Sequence, residues 1–245
     1  MRKSQNSSGR EMFFFIEDFQ NSVIISRRKR ARRFTLRVCQ VTGKISLTIP
    51  FRSSISAAKK FLEDNQNWVN KQLNQVIPKT YMSIGTRVPV EGIEREISLK
   101  KPRQEGHSLG GKKLFLDCTE LEVGVITKEF LLGHAAEVLV PIIKQNAKHV
   151  AKKIKKVRFK DTKSRWGSCS SEGSLMINWR LIMAPPSVSR YVVVHEVSHL
   201  KYMNHGVEFW TLVKTLHPSY LEDRAWLRNH GRKLKSFVFK TFDCS

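Results

Sequence analysis

Three short runs near the start of the chain, 23–25, 34–38 and 44–49, are β-branched or alternate between apolar and polar residues. That period predicts strands. Thr42-Gly43, between the last two, predicts a turn, so the stretch reads as a β-hairpin or meander. From 54 to 76 the period changes: Ile55, Ala58, Phe61, Leu62, Trp68, Val69, Leu73 and Val76 recur at helical spacing. Ser54 or Ser56 can cap this helix, and Pro78 closes it. Residues 79–123 return to strand character, broken at Gly85, Pro89, Gly92 and Pro102. The polar stretch 100–113, KKPRQEGHSLGGKK, reads as a loop and a domain linker.

The second half alternates differently. A helical pattern spans 128–156, with Pro141 predicted to kink it or to lie near its start, and with the basic run KKIKK at 152–156 suiting its C-terminal end. A strand begins at 157–159. Residues 163–186 then read as a hairpin turning at 171–173, and Pro185-Pro186-Ser187 announces a further helix. Residues 1–20 are polar, then aromatic, and are expected to be partly disordered. No internal repeat is present. The element order predicts an α+β protein in three parts: a partly disordered segment 1–20, a β-rich region with one helix at 21–123, and a helix-rich domain at 124–245.

Composition adds one strong fact. The 245 residues are 40% hydrophobic and 9% aromatic, which is ordinary for a globular protein, but 44 Lys and Arg face 21 Asp and Glu, for a net charge of +23. Such a surface attracts polyanions, or serves solubility by self-repulsion. Six of the seven residues in RRKRARR at 27–33 are basic; Arg27, Arg28, Lys29, Arg30, Arg32 and Arg33 either hold nucleic-acid phosphates or protect an exposed strand edge. The four cysteines are far apart and form no CxxC pair, which argues against a disulfide scaffold. The apolar run at 12–16 is short for a signal peptide and is flanked by Glu11, Glu17 and Asp18; the stretch 131–143 contains His134 and Glu137, as a core helix does. The expectation is a soluble cytoplasmic protein without a membrane segment.

The helix predicted after Pro186 carries the candidate chemistry. Residues 195–205 read HEVSHLKYMNH. His195 and His199 are four apart, so their rings lie on one helix face, where two neutral imidazoles can bind zinc and Glu196 can accept a proton from water. A catalytic zinc takes a third protein ligand. His205 lies six residues further on, about 240° off the ligand face of a continuous helix at roughly 100° per residue. It reaches the metal only if the helix stops, and Asn204 and Gly206 supply a stop signal before a second amphipathic helix starting near Val207. Glu208, Glu222 and His217 are alternatives for the third position. Tyr202 stands where H-E-x-x-H-x-x-G-x-x-H enzymes have glycine. Cys169 is either a structural buried thiol or a nucleophile or ligand.

The run RWGSCSSEGSLMINWRLIMAPPSVSRYVVVHEVSHLKYMNHGVEFW, at 165–210, closely resembles the YgjP-type metal-dependent hydrolases, relatives of the SprT-like and Spartan-type zinc proteases. PSYLEDRAWL at 218–227 resembles the family's closing segment, and 23–76 is similar more weakly. The resemblance implies a compact zincin-like domain, a small sheet whose edge strand lies over the metal helix. It implies zinc on His195, His199 and His205 with Glu196 as general base. Arg165 and Trp166 either contact substrate or brace the hairpin, and Ser168 and Asn178, in the matching segments, join them as candidate substrate-binding residues.

Three functions follow as expectations. The first is zinc-dependent hydrolysis of a peptide bond in a peptide or protein substrate. The second is hydrolysis of a nucleoside triphosphate to release pyrophosphate, although no G-x-x-x-x-G-K-[ST] phosphate loop occurs. The third is a nucleic-acid-binding module with a structural zinc, which leaves Glu196 without a task.

Overall fold

The computed structural model describes residues 23–39, 42–100 and 106–240, together with the backbones of 3–5 and 12–16. The chain divides into two compact units, Met1–Pro78 and Lys79–Ser245.

The first unit contains β1 (Lys3–Gln5), β2 (Met12–Ile16), β3 (Val23–Arg28), β4 (Thr35–Val38), β5 (Ile45–Pro50), α1 (Ile55–Asp64) and α2 (Gln66–Leu73). Within the segment 1–20, β1 and β2 pair antiparallel; the rest of it lies outside the described residues. The sheet order is β1-β2-β3-β5-β4. β4 and β5 form the expected hairpin, with Gly43 at φ +67 in its turn. A meander does not form, because β3 pairs parallel with β5 and the basic run becomes the end of β3 and the crossover after it. Alternation has its usual cause: Val23, Ile25, Ile45, Leu47 and Ile49 face a core completed by Ala58, Leu62 and Val69. The single helix predicted for 54–76 is two. Ser54 caps α1 through the Ala57 N–H, and Asn65 breaks it by turning its amide back onto the Phe61 carbonyl at 2.7 Å.

The second unit runs β6 (Thr80–Tyr81), β7 (Arg87–Val90), β8 (Ile93–Leu99), β9 (Ser108–Gly110), β10 (Lys113–Leu116), α3 (Val123–His149), β11 (Lys156–Lys160), β12 (Gly167–Cys169), β13 (Ser174–Asn178), α4 (Pro186–Ser198), α5 (Val207–Leu216), α6 (Tyr220–Ser236) and β14 (Phe237–Val238). Its sheets are β7-β8-β10-β9, β11-β13-β12 and the two-residue pair β14-β6. Part of the expected linker is therefore strand: β9 pairs with β10, while 101–105 lie outside the described residues. The sequence pattern divided the chain at 123/124, but the two compact units meet at 78/79. The reason is packing. Val88, Val90, Ile97, Leu114 and Leu116 share one core with Leu131, Leu139 and Ile143 of α3 and Val192, Val193 and Val197 of α4. At the β7–β8 turn, Glu91 and Gly92 have positive φ, and their N–H groups donate to the carbonyls of Ile182 and Met183 just ahead of α4.

α3 starts five residues earlier than the periodicity indicates, behind a reciprocal Thr119–Glu122 capping box. Pro141 lies inside it. It ends at His149, and Ala151 takes φ 52, so the 152–156 run lies past the helix rather than in its last turn. The β12–β13 hairpin forms as expected, turning at Gly173 with φ +81. Residues Trp179–Met183 are a 3-10 turn, and Pro186 opens α4 at a position where its missing N–H costs nothing. The architecture is α+β. Among the described residues, no helix is long and apolar enough to cross a membrane.

Candidate metal centre

His195, Glu196 and His199 come from the last turn of α4, which stops sooner than expected. Ser198 is its last residue and His199 its C-cap. The N–H groups of Leu200, Lys201 and Tyr202 turn back onto the carbonyls of Val197 and Ser198, and Asn204 and Gly206 lie in the loop beyond. That loop returns His205 to the helix. Its ring centroid is 5.0 Å from that of His195 and 4.7 Å from that of His199. One potential ligand atom from each of the three histidines lies within 4.8 Å of the others, and among the described residues this is the group of His, Cys, Asp and Glu side chains placed to hold a metal. Phe209, wholly buried on α5, supports all three rings at centroid distances of 5.0, 4.6 and 4.7 Å.

The alternative third ligands fall outside this group. Glu208 and Glu222 are exposed. His217 is buried and meets Asp223 at 2.6 Å; Ser187 donates to the other oxygen of that carboxylate at 2.8 Å. This network ties the starts of α4 and α6 to the end of α5.

The nitrogens fit a cation. The His199 Nδ1–H donates to the Tyr202 carbonyl at 3.0 Å, which leaves Nε2 with its lone pair. The Nε2 atoms of His195 and His205 face each other at 3.2 Å, and two lone pairs at that distance need a proton or a cation between them. Two ligands on a tetrahedral ion with bonds of about 2.0 Å stand about 3.3 Å apart. His195 Nδ1 is buried and has no hydrogen-bond partner among the described residues. Burial, aided by His199, His205 and Arg224, pushes the pKa of His195 down to about 3 and keeps the ring neutral, as a ligand must be. Burial lowers the pKa of His199 as well.

Glu196 is 6% exposed. Burial pushes its pKa up to about 7, against a smaller pull downward from Arg165. The backbone of β12 presses on it: a Cβ at Gly167 would stand 2.5 Å from both Cγ and Oε1 of Glu196. A cavity of about 170 Å³ lies between Trp166, Gly167, Tyr191, Glu196 and Leu227, with His195 in its wall. A wider one of about 540 Å³ lies on the other flank, bordered by His205, Val207, Trp210, Lys214 and Tyr220.

The remaining candidates separate by environment. Arg165 is exposed and, with Ser168 and Cys169, lines a groove of about 520 Å³ along β12. Trp166 does two things. It walls the small cavity, and it is braced from behind by Gly231 and by the Lys235 ammonium 4.3 Å from its ring centre. Asn178 does not face the groove as a substrate-binding residue would. It is wholly buried, donating to Thr162 and accepting from the Arg180 N–H, so its polar atoms are spent inside the protein. The Cys169 thiol donates to the Ser170 carbonyl, and burial with the nearby Glu196 charge pushes its pKa up to about 11. The 27–33 run belongs to the first unit, where Arg28, Lys29, Arg30, Arg32 and Arg33 are exposed and Arg27 is half-buried.

Three features at the site were not read from the sequence. Tyr191 stands with its ring 6.0 Å from that of His195. Gly167 had a signal: a glycine inside a strand marks a close approach, here to a carboxylate. Arg224, whose guanidinium covers Trp210 at 5.0 Å, had none.

Comparison with curated proteins yields no match. The crystal structure of the metallopeptidase zymogen of Pyrococcus abyssi abylysin is similar over 41% of this chain and 92% of its own, at 21% identity and a TM-score of 0.28. A family model described as the YgjP-like metallopeptidase domain matches residues 32–230, and by that match the chain belongs to the YgjP-like family.

Proposed function

We propose that this protein is a zinc-dependent peptidase that cuts peptide or protein substrates at the centre formed by His195, His199 and His205. The observation that carries the reading is the convergence of three ring nitrogens within 4.8 Å, beside a buried carboxylate on the same helix. Zinc held there supplies polarisation of a carbonyl and activation of water. Glu196 accepts the proton of the attacking water and passes it to the leaving amine. Among the described residues β12 pairs only with β13, so its other edge offers a place for an extended peptide, which would run past Arg165 and Ser168. Trp166 and Trp210 border the cavities on either flank of the histidines. Arg165 contacts the substrate, while Asn178 holds the hairpin.

Metal analysis and peptide hydrolysis test this together. The wild-type chain should hold about one zinc, His205→Ala should lose or loosen it, and Glu196→Gln should keep zinc while losing at least about 100-fold in turnover. Undiminished hydrolysis by Glu196→Gln would sink the mechanism. Release of pyrophosphate from nucleoside triphosphates, without peptide cleavage, would replace the substrate class.

A further inference from the structure

Away from the histidines, the second unit carries a groove of about 660 Å³ where the end of α3 meets β11. Its rim is Lys144, Lys148, Lys152, Lys153, Lys155 and Lys156, all exposed, and its floor includes Ala147, Ile154 and Val157. Lysines suit the end of a helix, where they offset its dipole. That accounts for Lys148 in the last turn of α3; Lys144 lies a turn earlier, and the other four lie beyond the last helical residue, His149.

The positive surface continues along the strand. Lys156, Arg158 and Lys160 alternate on one face of β11, and the last two line the neighbouring groove with Arg165. Ten of the 22 residues from 144 to 165 are Lys or Arg, and the one acid is Asp161. Asp161 is already bonded to Arg180 by both oxygens at 2.9 Å. Of the groove lysines, Lys155 meets a carboxylate, that of Glu172 at 2.8 Å.

We infer that this lysine groove and the β11 face form a binding site for the phosphodiester backbone of a nucleic acid. A concave track of like charge with an apolar floor costs self-repulsion, which a polyanion relieves by displacing its counterions. The lysine stems can lie on the floor while their ammonium groups reach phosphates. The basic residues come from a helix end, a loop and a strand, so they follow a line rather than a point. That matches a chain of phosphates better than a single anion. The site differs from the 27–33 run in the other unit and is independent of hydrolysis at the histidines.

The test uses the full chain and fluorescein-labelled 20-nucleotide probes: single-stranded DNA, single-stranded RNA and both duplexes. Binding is read by fluorescence anisotropy from about 50 to 200 mM salt. The groove variant is Lys148→Glu/Lys152→Glu/Lys156→Glu, with Lys→Gln at the same positions as a milder form. The control is Arg30→Glu/Arg32→Glu/Arg33→Glu. Circular dichroism and zinc content check that each variant folds. The groove variant should lose at least about tenfold in affinity, with the salt slope shallower by about 2 to 3, and the Gln form should fall between it and wild type. The ranking of the four probes identifies the form of nucleic acid preferred. Absence of binding to every probe at low salt overturns the proposal. So does equal loss in groove and control variants, which is what bulk charge alone produces. Competition by poly-glutamate as effective as by unlabelled nucleic acid overturns it in favour of an acidic polypeptide.

Discussion

Gly167→Ala is the sharpest test of how the proposed site is built, because it adds one methyl group far from the three histidines in sequence. That carbon would stand 2.5 Å from Cγ and Oε1 of Glu196 and 2.7 Å from Cδ, where ordinary contact begins near 3.4 Å. The carboxylate or the strand must therefore move by about 1 Å. The carboxylate is the softer partner, since β12 is held by its register with β13 and by the Asn178 N–H bonded to the Trp166 carbonyl at 2.8 Å. If Glu196 is the general base proposed above, its misplacement by about 1 Å costs about 100-fold in kcat, or about 2.7 kcal/mol of transition-state stabilisation. The three atoms nearest the new methyl all belong to Glu196, so metal content should stay at the wild-type level. The assay is peptide turnover in four proteins: wild type, Gly167→Ala, Glu196→Gln and the double variant. If the methyl acts by displacing the base, its effect should nearly vanish once the base is gone. Wild-type turnover in Gly167→Ala would refute the argument, and so would a full 100-fold further loss in the Glu196→Gln background.

Three other perturbations address the support of the site. Phe209→Ala removes the wholly buried ring beneath the three imidazoles and should cost about 3 to 5 kcal/mol by denaturant unfolding, with part of the loss recovered in excess zinc. Arg180→Ala leaves the buried carbonyls of Leu234 and Phe237 without their donor and removes the guanidinium packed on Trp179 and Phe239; a loss of about 3 kcal/mol is expected in the same measurement. Cys169, with its pKa pushed up to about 11, is almost wholly protonated at neutral pH. Its alkylation by iodoacetamide, followed by mass spectrometry, should be slow near pH 7 and rise about tenfold per pH unit toward pH 10. Fast alkylation at pH 7 would show an activated thiol and reopen its role as a nucleophile.

Much of this was legible because local rules and tertiary packing agreed. The HExxH spacing, Pro186 at the helix start and the hairpin around Gly173 each rest on neighbours within a few residues, and each stands where the pattern put it. The failures share a cause in contacts between distant segments. The parallel pairing of β3 with β5 skips β4, and no alternation in a single strand reveals which strand it pairs with. The division of the chain was misplaced because strands at 87–116 look self-contained until Val88 and Leu116 are seen in the same core as Leu131 and Val193. Asn178 carries a functional-looking amide in a recognised segment, and only its bonds to Thr162 and Arg180 show where those polar atoms go. The helix stop was misread by a few residues because Asn204 and Gly206 advertise a turn, whereas the chain already turns at Ser198 through bonds that any residue can make.

That early stop bears on the order of the ligands. If α4 continued to 204, His205 would leave the helix on a far face and the loop would need to cross the metal position to return. Ending at Ser198 places His199 at the C-cap, and its Nδ1–H is spent on a carbonyl of the turn itself, that of Tyr202. The same bond thus shapes the turn and orients the His199 ring toward the other two histidines. α5 then starts at Val207, and Phe209 meets all three rings from below. At the other end of α4, Ser187 is bonded to Asp223 and the preceding turn to the β7–β8 hairpin. Glu196 is thereby positioned from both ends of its helix, while Gly167 is positioned by the sheet. The close contact between these two residues requires glycine at 167, and it makes the distance between the Glu196 carboxylate and β12 a property of the whole second unit rather than of the five-residue motif.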